Sequence, residues 1–538
     1  MIAYPIKHRE LLFVVIWCCF CIGIVLLPYF LGVLATPSGK QFTYITTASY
    51  QDTNSYFTWV RQAQEGHFFF QDQYTSEFSA RYLFHPIFLL VGLVVKLTLI
   101  PVIFIWLLLI IVADFFLLFS IYKFLSYFIK SSIQRALTFI FVSLGSGFGW
   151  FIGWRSIDLR LTETTIFQSL SWPFIFSIAI SLLLWFFIFA LRSLTDENLY
   201  DYKLAKYAGF VGFLLALIHP YDLITAYIVL GLYVIIFKLF RKQLKKLLFI
   251  FLPPILPLIY DLIIQLIDPV LRRHNQTLMP TDNILYIISG FGLILFFAIL
   301  GANIIFKKRE RSYYFILLWA ISSLIIIYIP FSFQRRLIMG AIIPIVMLAS
   351  YFFLDLFNRL EIQELVRWKA SWIKRMYFFT IIIIILFLSS ISNLIIYSHN
   401  LKAIATGGFP YYLETDLIIG MRWFNVQGYA GQIVLSSEMM GSFIPRFSSI
   451  KVYLGHWAQT IDELKKFTEV KQFFSTTTKD SDRVQFLIKN KIDYIYYSRY
   501  EGNQINNNCL SGLANEKIIN RVYTNSSVVI YKVNYENI

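Results

Sequence analysis

The chain has 538 residues, of which 58% are hydrophobic and only 14% are charged. A soluble protein carries about 25% charged residues, so this composition excludes a soluble globular enzyme and indicates a polytopic membrane protein. The net charge of +16 does not indicate a nucleic-acid partner, because Lys and Arg concentrate in short loops between apolar segments.

Apolar segments long enough to cross a bilayer recur between residues 10 and 397. At roughly 20 residues per span, they predict about 11 spans, at 10–34, 99–122, 135–153, 171–192, 205–219, 221–238, 247–267, 284–306, 312–330, 336–357 and 376–397. The shorter segment 83–97 is expected to form a re-entrant or interfacial helix, because the later basic loops determine the parity of the crossings. The predicted fold is an α-helical polytopic membrane protein.

The basic clusters predict how these spans are oriented. Under this count the clusters all fall on one side of the bilayer, from Lys7 and Arg9 to the segment 359–375. Cytoplasmic loops carry the excess of Lys and Arg, so this side, with the N-terminus, is expected to be cytoplasmic. The first long loop, 35–82, and the region after residue 397 are then extracytoplasmic.

The region after residue 397 has ordinary polarity, which predicts two domains: a membrane domain, 1–397, and an extracytoplasmic domain, 398–538. Within the second domain, helix-like stretches alternate with strand-like ones. The helix-like stretches are 416–425, 461–474 and 482–490, and the strand-like stretches are 432–435, 452–454, 492–497 and 528–533. This alternation predicts a small α/β domain.

The loop 35–82 is acidic and rich in aromatic residues. Residues 54–65 are expected to form a helix on the membrane surface, with its aromatic side chains as the apolar face. Asp52 precedes this predicted helix, where it is either a helix cap or a reactive carboxylate. Glu77 is the second carboxylate of interest in this loop, whereas Glu65 and Asp72 are expected to be solvated.

Other polar residues lie in the predicted outer turns. Arg335 and Arg336 follow a span, where they could bind a phosphate or contact lipid headgroups. His219 and Asp222 flank a tight turn that is either part of a site or an interfacial turn set by Pro220. Further candidates, Asp158 and Glu163, follow a Gly-rich segment, 145–149, that lacks the ending of a phosphate loop and is expected to pack helices.

Several stretches, taken in order, resemble the GT-C-fold glycosyltransferases. This superfamily includes protein O-mannosyltransferases, the aminoarabinose transferase of lipid A and oligosaccharyltransferases; the closest resemblance is to a group of bacterial GT-C-like membrane proteins. The stretches are Asp52, Tyr56, Gly66 and Tyr74-Thr75-Ser76-Glu77; Gly145-Ser146-Gly147-Phe148-Gly149-Trp150; His219-Pro220-Tyr221-Asp222; Phe333-Gln334-Arg335-Arg336; and Val452-Tyr453-Leu454-Gly455-His456-Trp457.

The resemblance implies transfer of a sugar from a polyprenyl-phosphate-linked donor to a glycan, lipid or protein acceptor at the outer face of a bacterial cytoplasmic membrane. Asp52 would be the general base of an inverting transfer, with Glu77 as a second catalytic carboxylate. Arg335 and Arg336 would bind the donor phosphate. A divalent metal such as Mg²⁺ or Mn²⁺ is compatible with this chemistry, but the sequence requires none. The residues expected to line the cavity or place the acceptor are His219, Asp222, Tyr56, Glu163 and His456.

Two features of the chain depart from the better-known relatives. It has no Trp-Trp-Asp motif, which argues against protein N-glycosylation, and Asp52 is followed by Thr53 rather than by a second acid. A transporter or flippase of lipid-linked glycans and a noncatalytic membrane scaffold remain as alternatives. The transporter would need polar residues within several spans, most of which are uninterrupted Ile, Leu and Phe. The enzyme hypothesis requires Asp52, His219 and Arg335 to line one cavity.

Overall fold

A computed structural model describes residues 3–47, 49–196, 198–308, 310–359, 372–427, 431–502 and 509–537. The chain divides into two compact units, each assembled from segments that are distant in the sequence. The first, which we call the helical unit, comprises Met1–Pro28, Leu107–Asp261 and Leu278–Lys402. The second, the α/β unit, comprises Tyr29–Trp106, Leu262–Thr277 and Ala403–Ile538, and so includes the acidic first loop.

The helical unit consists of apolar helices joined by short connections. The helices with most of their residues in this unit are α1 (His8–Leu34), α4 (Val102–Leu125), α5 (Ser132–Leu144), α6 (Gly149–Ile152), α7 (Ile157–Arg160), α8 (Ile166–Ser171), α9 (Ile175–Thr195), α10 (Lys203–Ile218), α11 (Pro220–Ile236), α12 (Phe240–Phe251), α13 (Ile255–Ile267), α15 (Ile284–Lys308), α16 (Arg311–Ile326), α17 (Ile342–Arg359), α18 (Trp372–Leu388) and α19 (Ile391–Ala405). A 3₁₀ helix, Gln334–Ile338, precedes α17. Helices satisfy their backbone hydrogen bonds internally, which is the requirement for chain in contact with hydrocarbon.

Within the described residues, 6 helices are long and apolar enough to cross a membrane, or up to 8 if each bent pair is one span. The two bent pairs are α12 with α13, at 52°, and Thr380–Leu388 with α19, at 53°. The first bend contains Pro253 and Pro254, which cannot donate backbone hydrogen bonds to continue the helix. The predicted α-helical membrane fold is confirmed, whereas the total of about 11 spans stays a prediction.

The Gly-rich segment before α7 packs against α15, as predicted. A Cβ on Gly147 would lie 2.1 Å from the carbonyl oxygen of Ser289, so only glycine permits this approach. Asp158 binds the backbone of the same segment. Its Oδ2 accepts hydrogen bonds from the N–H groups of Gly147 at 2.9 Å and Gly149 at 3.1 Å. Asp158, a candidate site residue in the sequence, therefore has a buried carboxylate that binds the backbone.

The α/β unit is built around a five-stranded sheet with the order β4-β3-β5-β7-β6. Its strands are β3 (Ile433–Leu435), β4 (Lys451–Val452), β5 (Tyr494–Ser498), β6 (Ile519–Thr524) and β7 (Val528–Val533), while β1 (Lys40–Phe42) pairs separately with β2 (Tyr412–Glu414). Strands β4, β3 and β5 are parallel, and β7 runs antiparallel to both β5 and β6. The predicted small α/β domain is therefore confirmed.

Helices cover this sheet and enclose two apolar cores. The helices of the unit are α2 (Tyr50–Gln64), α3 (Pro86–Thr98), α14 (Pro269–Asn275), α20 (Thr415–Gln427), α21 (Glu438–Phe447), α22 (Glu463–Phe473), α23 (Asp480–Asn490) and α24 (Ser511–Asn515), and the chain closes with a 3₁₀ turn, Tyr535–Asn537. Successive residues of β5 point to opposite faces, so Tyr494 and Tyr496 enter one core and Ile495 and Tyr497 the other. Burial of both faces accounts for the nearly continuous apolar sequence of β7.

Candidate functional site

Asp52 lies inside a buried helix of the α/β unit. It belongs to the first turn of α2, whose N-cap is Ser49, so the predicted helix start at residue 54 and the capping role of Asp52 are both wrong. Phe57 and Val60 are buried in the unit, and the Phe57 ring stacks on Trp106 with centroids 4.4 Å apart. Helix α2 therefore packs between α3 and α21, and Phe57 and Val60 do not form the predicted membrane-facing surface.

A tight turn after β4 carries His456 to the end of the sheet. The Thr460 hydroxyl closes this turn by accepting hydrogen bonds from the N–H groups of Gly455 at 3.2 Å and His456 at 3.1 Å. Gly455 lies against Gly441 of α21, where an added Cβ would be 2.5 Å from the Gly441 carbonyl oxygen. Because β3 and β4 are parallel, the turn lies at their carboxyl ends, where open α/β sheets bind ligands.

His456 and Asp52 face each other in this position. His456 Nε2 lies 3.5 Å from Asp52 Oδ1, with the His456 side chain 2% exposed and the Asp52 side chain 26% exposed. The other ring nitrogen, Nδ1, accepts hydrogen bonds from the N–H groups of Ala458 at 3.0 Å and Gln459 at 3.2 Å. An accepting Nδ1 carries no proton, so the neutral ring carries its N–H at Nε2, the nitrogen that faces Asp52 at 3.5 Å.

Gln51, the neighbour of Asp52, ties α2 to the same turn. Its Oε1 accepts a hydrogen bond from the Trp457 N–H at 3.2 Å, and its Nε2 donates to Glu438 of α21. One helical turn after Asp52, the Tyr56 ring stacks on Phe88 of α3 with centroids 5.0 Å apart. Tyr56, which the sequence predicted to line the cavity, thus packs against Phe88. Gln51, which was not predicted as a site residue, links α2 to the His456 turn.

Glu77 is bound by Lys466, a lysine of α22. Lys466 Nζ of α22 donates to Glu77 Oε2 at 2.7 Å and to the Ser76 hydroxyl at 2.9 Å. Burial opposes ionisation of Glu77, but the hydrogen bonds from Lys466 and Thr75 outweigh it and lower the Glu77 pKa. Burial is also the main cause of the lowered pKa of Lys466. The catalytic role of Glu77 stays a prediction, because the described carboxylate is engaged by a cation.

Asp72 is buried beside this pair, contrary to the expectation that it is solvated. Its side chain is 1% exposed, and its Oδ1 accepts a hydrogen bond from the Tyr74 N–H at 2.8 Å. No described residue donates a hydrogen bond to Oδ2. Burial raises the pKa of Asp72 to about 6, against the opposing effects of the Tyr74 N–H, His456 and Lys451.

A cavity of about 800 Å³ opens beside the His456 turn. One wall comes from the turn itself, including the half-buried Trp457, and the opposite wall from the end of α14 and the residues after it. Its charged lining residues are balanced in sign, with Asp462 and Glu463 opposed by Arg273 and Lys465. The volume and the mixture of an aromatic ring with polar groups are typical of a small-ligand site.

In the helical unit, the side chains of His219 and Asp222 contact each other, and their role in a site stays a prediction. His219 Nδ1 lies 3.1 Å from Asp222 Oδ2, and both side chains are buried. His219 is the residue before Pro220, which disfavours helical backbone there and separates α10 from α11. Glu163, which is partly buried, lies within electrostatic range of Asp222, so three of the predicted cavity residues occupy one neighbourhood.

The arginine pair lies in the same unit, on the 3₁₀ helix before α17. The Arg336 guanidinium covers the Tyr221 ring at 5.0 Å, and Tyr221 also contacts Phe333 with centroids 4.6 Å apart. Tyr221 therefore connects Arg336 to the His219–Asp222 turn. The Nε of Arg335 is buried, and no described residue accepts a hydrogen bond from it. Arginine presents several such donors in a planar fork that suits a phosphate.

A metal site cannot be assigned from the described residues. No group of 3 or more His, Cys, Asp or Glu side chains among them could hold a metal ion. Asp52 and His456 are two potential ligands, but His456 Nδ1 already accepts two backbone hydrogen bonds and Nε2 carries the proton. The hypothesis that Asp52, His219 and Arg335 line one cavity involves both units and stays a prediction.

No protein-family model and no curated protein matches the chain. Among solved structures, the Archaeoglobus fulgidus oligosaccharyltransferase in its apo form matches with a TM-score of 0.54 and 13% identity, over 91% of this chain and 70% of that chain. The same protein, AglB, in complex with an inhibitory peptide and a dolichol-phosphate, matches with a TM-score of 0.53 and 12% identity, over 89% and 69%. The chain has the GT-C fold. Mycobacterial arabinofuranosyltransferase AftD, another GT-C protein, matches with a TM-score of 0.52 and 11% identity, over 100% of this chain and 41% of that chain.

Proposed function

We propose that this GT-C protein is a membrane glycosyltransferase that transfers a sugar from a polyprenyl-phosphate-linked donor to an acceptor at the extracytoplasmic face. The observation that carries the proposal is the placement of Asp52: a partly exposed carboxylate, facing a buried histidine, at the carboxyl ends of two parallel strands. The likeness to an oligosaccharyltransferase and an arabinofuranosyltransferase supports the same reaction class.

In the proposed reaction, Asp52 accepts the proton of an acceptor hydroxyl as that oxygen attacks the anomeric carbon of the donor sugar. The new bond joins the acceptor oxygen to that carbon, and the bond from the carbon to the phosphate oxygen breaks. The polyprenyl phosphate leaves with the bonding electron pair, and the anomeric configuration is inverted. A carboxylate suits this step because it is ionised at neutral pH and can take a proton within hydrogen-bonding distance.

Arg335 and Arg336 are proposed to bind the donor phosphate, whose negative charge grows as the bond to the sugar breaks. The stacking of Arg336 on Tyr221 supports this role, because the ring holds the guanidinium plane in one orientation. The Nε of Arg335, from which no described residue accepts a hydrogen bond, also supports phosphate binding. His219, Asp222 and Glu163 are proposed to shape the surroundings of this phosphate site.

The acceptor is proposed to bind in the 800 Å³ cavity beside His456. Trp457 offers an aromatic face to a sugar ring, and the balanced charges of the lining suit a neutral, hydroxyl-rich ligand. The backbone hydrogen bond from Trp457 to Gln51 connects this cavity to the residue next to Asp52. A glycan acceptor fits these features best, and the broader class includes lipid or protein acceptors that carry a hydroxyl group.

Asp52→Asn tests the proposal directly. The amide keeps the size and polarity of the side chain but cannot accept the proton, so transfer is expected to fall by at least about 10²-fold. The assay uses the full chain in membranes, a panel of polyprenyl-phosphate sugars and envelope glycans as acceptors. The matched control is Asp482→Asn, which removes an exposed carboxylate from the first turn of α23, outside the residues that line the cavity.

Retained transfer by the folded Asp52→Asn variant would exclude Asp52 as the base. Absence of transfer by the wild-type chain, with flipping of a labelled lipid-linked glycan across vesicles, would favour the flippase alternative. Absence of both activities would favour the scaffold. Thermal unfolding and membrane insertion are measured in parallel, because a change in either would invalidate the kinetic comparison.

A further inference from the structure

The backbone around His456 defines the tautomer of its ring. Two backbone N–H groups, from Ala458 and Gln459, donate to Nδ1, so a proton on that nitrogen would meet two donors at 3.0 and 3.2 Å. The proton of the neutral ring is therefore at Nε2.

The Nε2–H group is buried, and no described residue accepts a hydrogen bond from it. Asp52 Oδ1 lies 3.5 Å from Nε2. A buried N–H without a partner costs free energy, so a small movement of Asp52 towards His456 is favourable. Hydrogen bonds in active sites are often long until the substrate is bound.

The surroundings of His456 explain why the ring cannot turn away. Tyr74 packs against it with ring centroids 5.6 Å apart, and the Tyr74 hydroxyl is itself bonded to Thr58 of α2 at 2.8 Å. The titratable groups near the pair include Tyr74 itself, Asp72, whose pKa is raised by burial against the lowering effect of His456 and Lys451, and Glu438, which is bonded to Gln51. Neither carboxylate is bonded to Nε2, and Asp52 is the carboxylate that faces it.

We propose that His456 is a positioning residue, a hydrogen-bond donor whose Nε2–H group binds Oδ1 of Asp52 and leaves Oδ2 as the atom that accepts the acceptor proton. This inference rests on the proposed function, because it assigns the orientation of the base in that reaction. Nδ1 already accepts two backbone hydrogen bonds, so Nε2 is the ring nitrogen that is left to contact Asp52.

The inference is tested with two amides that differ in reach. The Nε2 of Gln lies approximately where the Nε2 of His lies, whereas the shorter Asn reaches only the position of Nδ1. His456→Gln is therefore expected to retain most of the turnover, and His456→Asn to lose about tenfold to hundredfold in kcat with little change in either KM.

A second measurement reads the protonation of His456 independently of activity. The full chain, labelled with ¹⁵N-histidine in detergent, is compared with the His456→Gln variant to assign the His456 signals by nuclear magnetic resonance. The expected result is a neutral imidazole that carries its proton on Nε2 and has an unprotonated Nδ1. A neutral His456 that shows the proton on Nδ1 would overturn the proposal.

The outcomes separate this inference from the proposed function. Wild-type transfer with equal kcat for the folded Gln and Asn variants would overturn the positioning role and leave the glycosyltransferase proposal standing. An inactive wild-type chain with a neutral His456 would overturn the function, and with it the role of His456 in catalysis. Equal unfolding temperatures for the Gln and Asn variants exclude a purely structural effect.

Discussion

Asp72→Asn is expected to change how the stability of the α/β unit depends on pH. Asp72 is fully buried, and one carboxylate oxygen has no hydrogen-bond donor among the described residues. Ionisation of such a group is costly, which is why burial raises its pKa from the ordinary 3.8 to about 6. Asparagine retains an acceptor for the Tyr74 N–H but does not titrate in this range.

The direction of the effect follows from the two pKa values. Below pH 3.8 Asp72 is protonated in both the folded and the unfolded chain, so its titration does not lower the free energy of unfolding. Between pH 3.8 and about 6 the unfolded chain releases the proton while the folded chain keeps it, so the free energy of unfolding falls. At about 1.36 kcal/mol per pKa unit, the total loss is about 3 kcal/mol, and it is complete above pH 6. Asp72→Asn does not show this loss of stability, because asparagine does not titrate.

The assay follows urea unfolding of the full chain in detergent between pH 4 and pH 7. Cys509 is the free cysteine of the α/β unit, and mass spectrometry of the peptide that contains it reports its exposure to a thiol reagent. The stability of the variant relative to wild type should rise by about 2.4 kcal/mol over this interval, because a part of the total loss is already present at pH 4. Asp462→Asn, in an exposed ion pair, should show no such trend. Parallel pH profiles for wild type and Asp72→Asn would refute the argument from burial.

Two further predictions concern residues of the proposed site. Arg336→Lys retains the charge but loses the contact of the guanidinium group with Tyr221, so the donor KM should rise by about tenfold, which corresponds to about 1.4 kcal/mol. The control Arg273→Lys should leave the donor KM unchanged. An unchanged donor KM for Arg336→Lys would contradict phosphate binding by Arg336. Glu77→Gln leaves the buried Lys466 charge without its carboxylate and should cost about 1–2 kcal/mol of stability, discounted because Glu77 is partly exposed. A fall in kcat at unchanged unfolding temperature would instead support Glu77 as a catalytic carboxylate.

Much of the architecture could be predicted from local sequence. Long apolar runs become helices in a bilayer protein because hydrocarbon leaves no other way to satisfy the backbone. The strand-like stretches of the last domain were found close to β3, β4, β5 and β7, since β-branched and aromatic residues recur there between turn residues. By contrast, α21 was not predicted, because Gly441 and Pro445 weaken its helical signal and packing against α2 stabilises it instead.

The individual site residues were partly predictable. Asp52 and His456 were both selected from the sequence, but as a base and as an acceptor-binding residue, with no reason to pair them. Lys466 was missed, since a lysine in a charged helical stretch normally indicates a solvated face. Asp72 was misjudged for the same reason, because an acid in a polar loop gives no local sign that other segments will cover it.

The sequence by itself determined the kind of molecule: a helical membrane protein with an α/β domain and a conspicuous acid in its first loop, all of which follow from short-range patterns of polarity. The tertiary structure alone decided which partners these residues have. Asp52 meets His456, and Glu77 meets Lys466, through contacts between segments that are far apart in the chain. The tautomer of His456 likewise depends on two backbone N–H groups whose direction is set by the folded turn, a property that no residue pattern encodes.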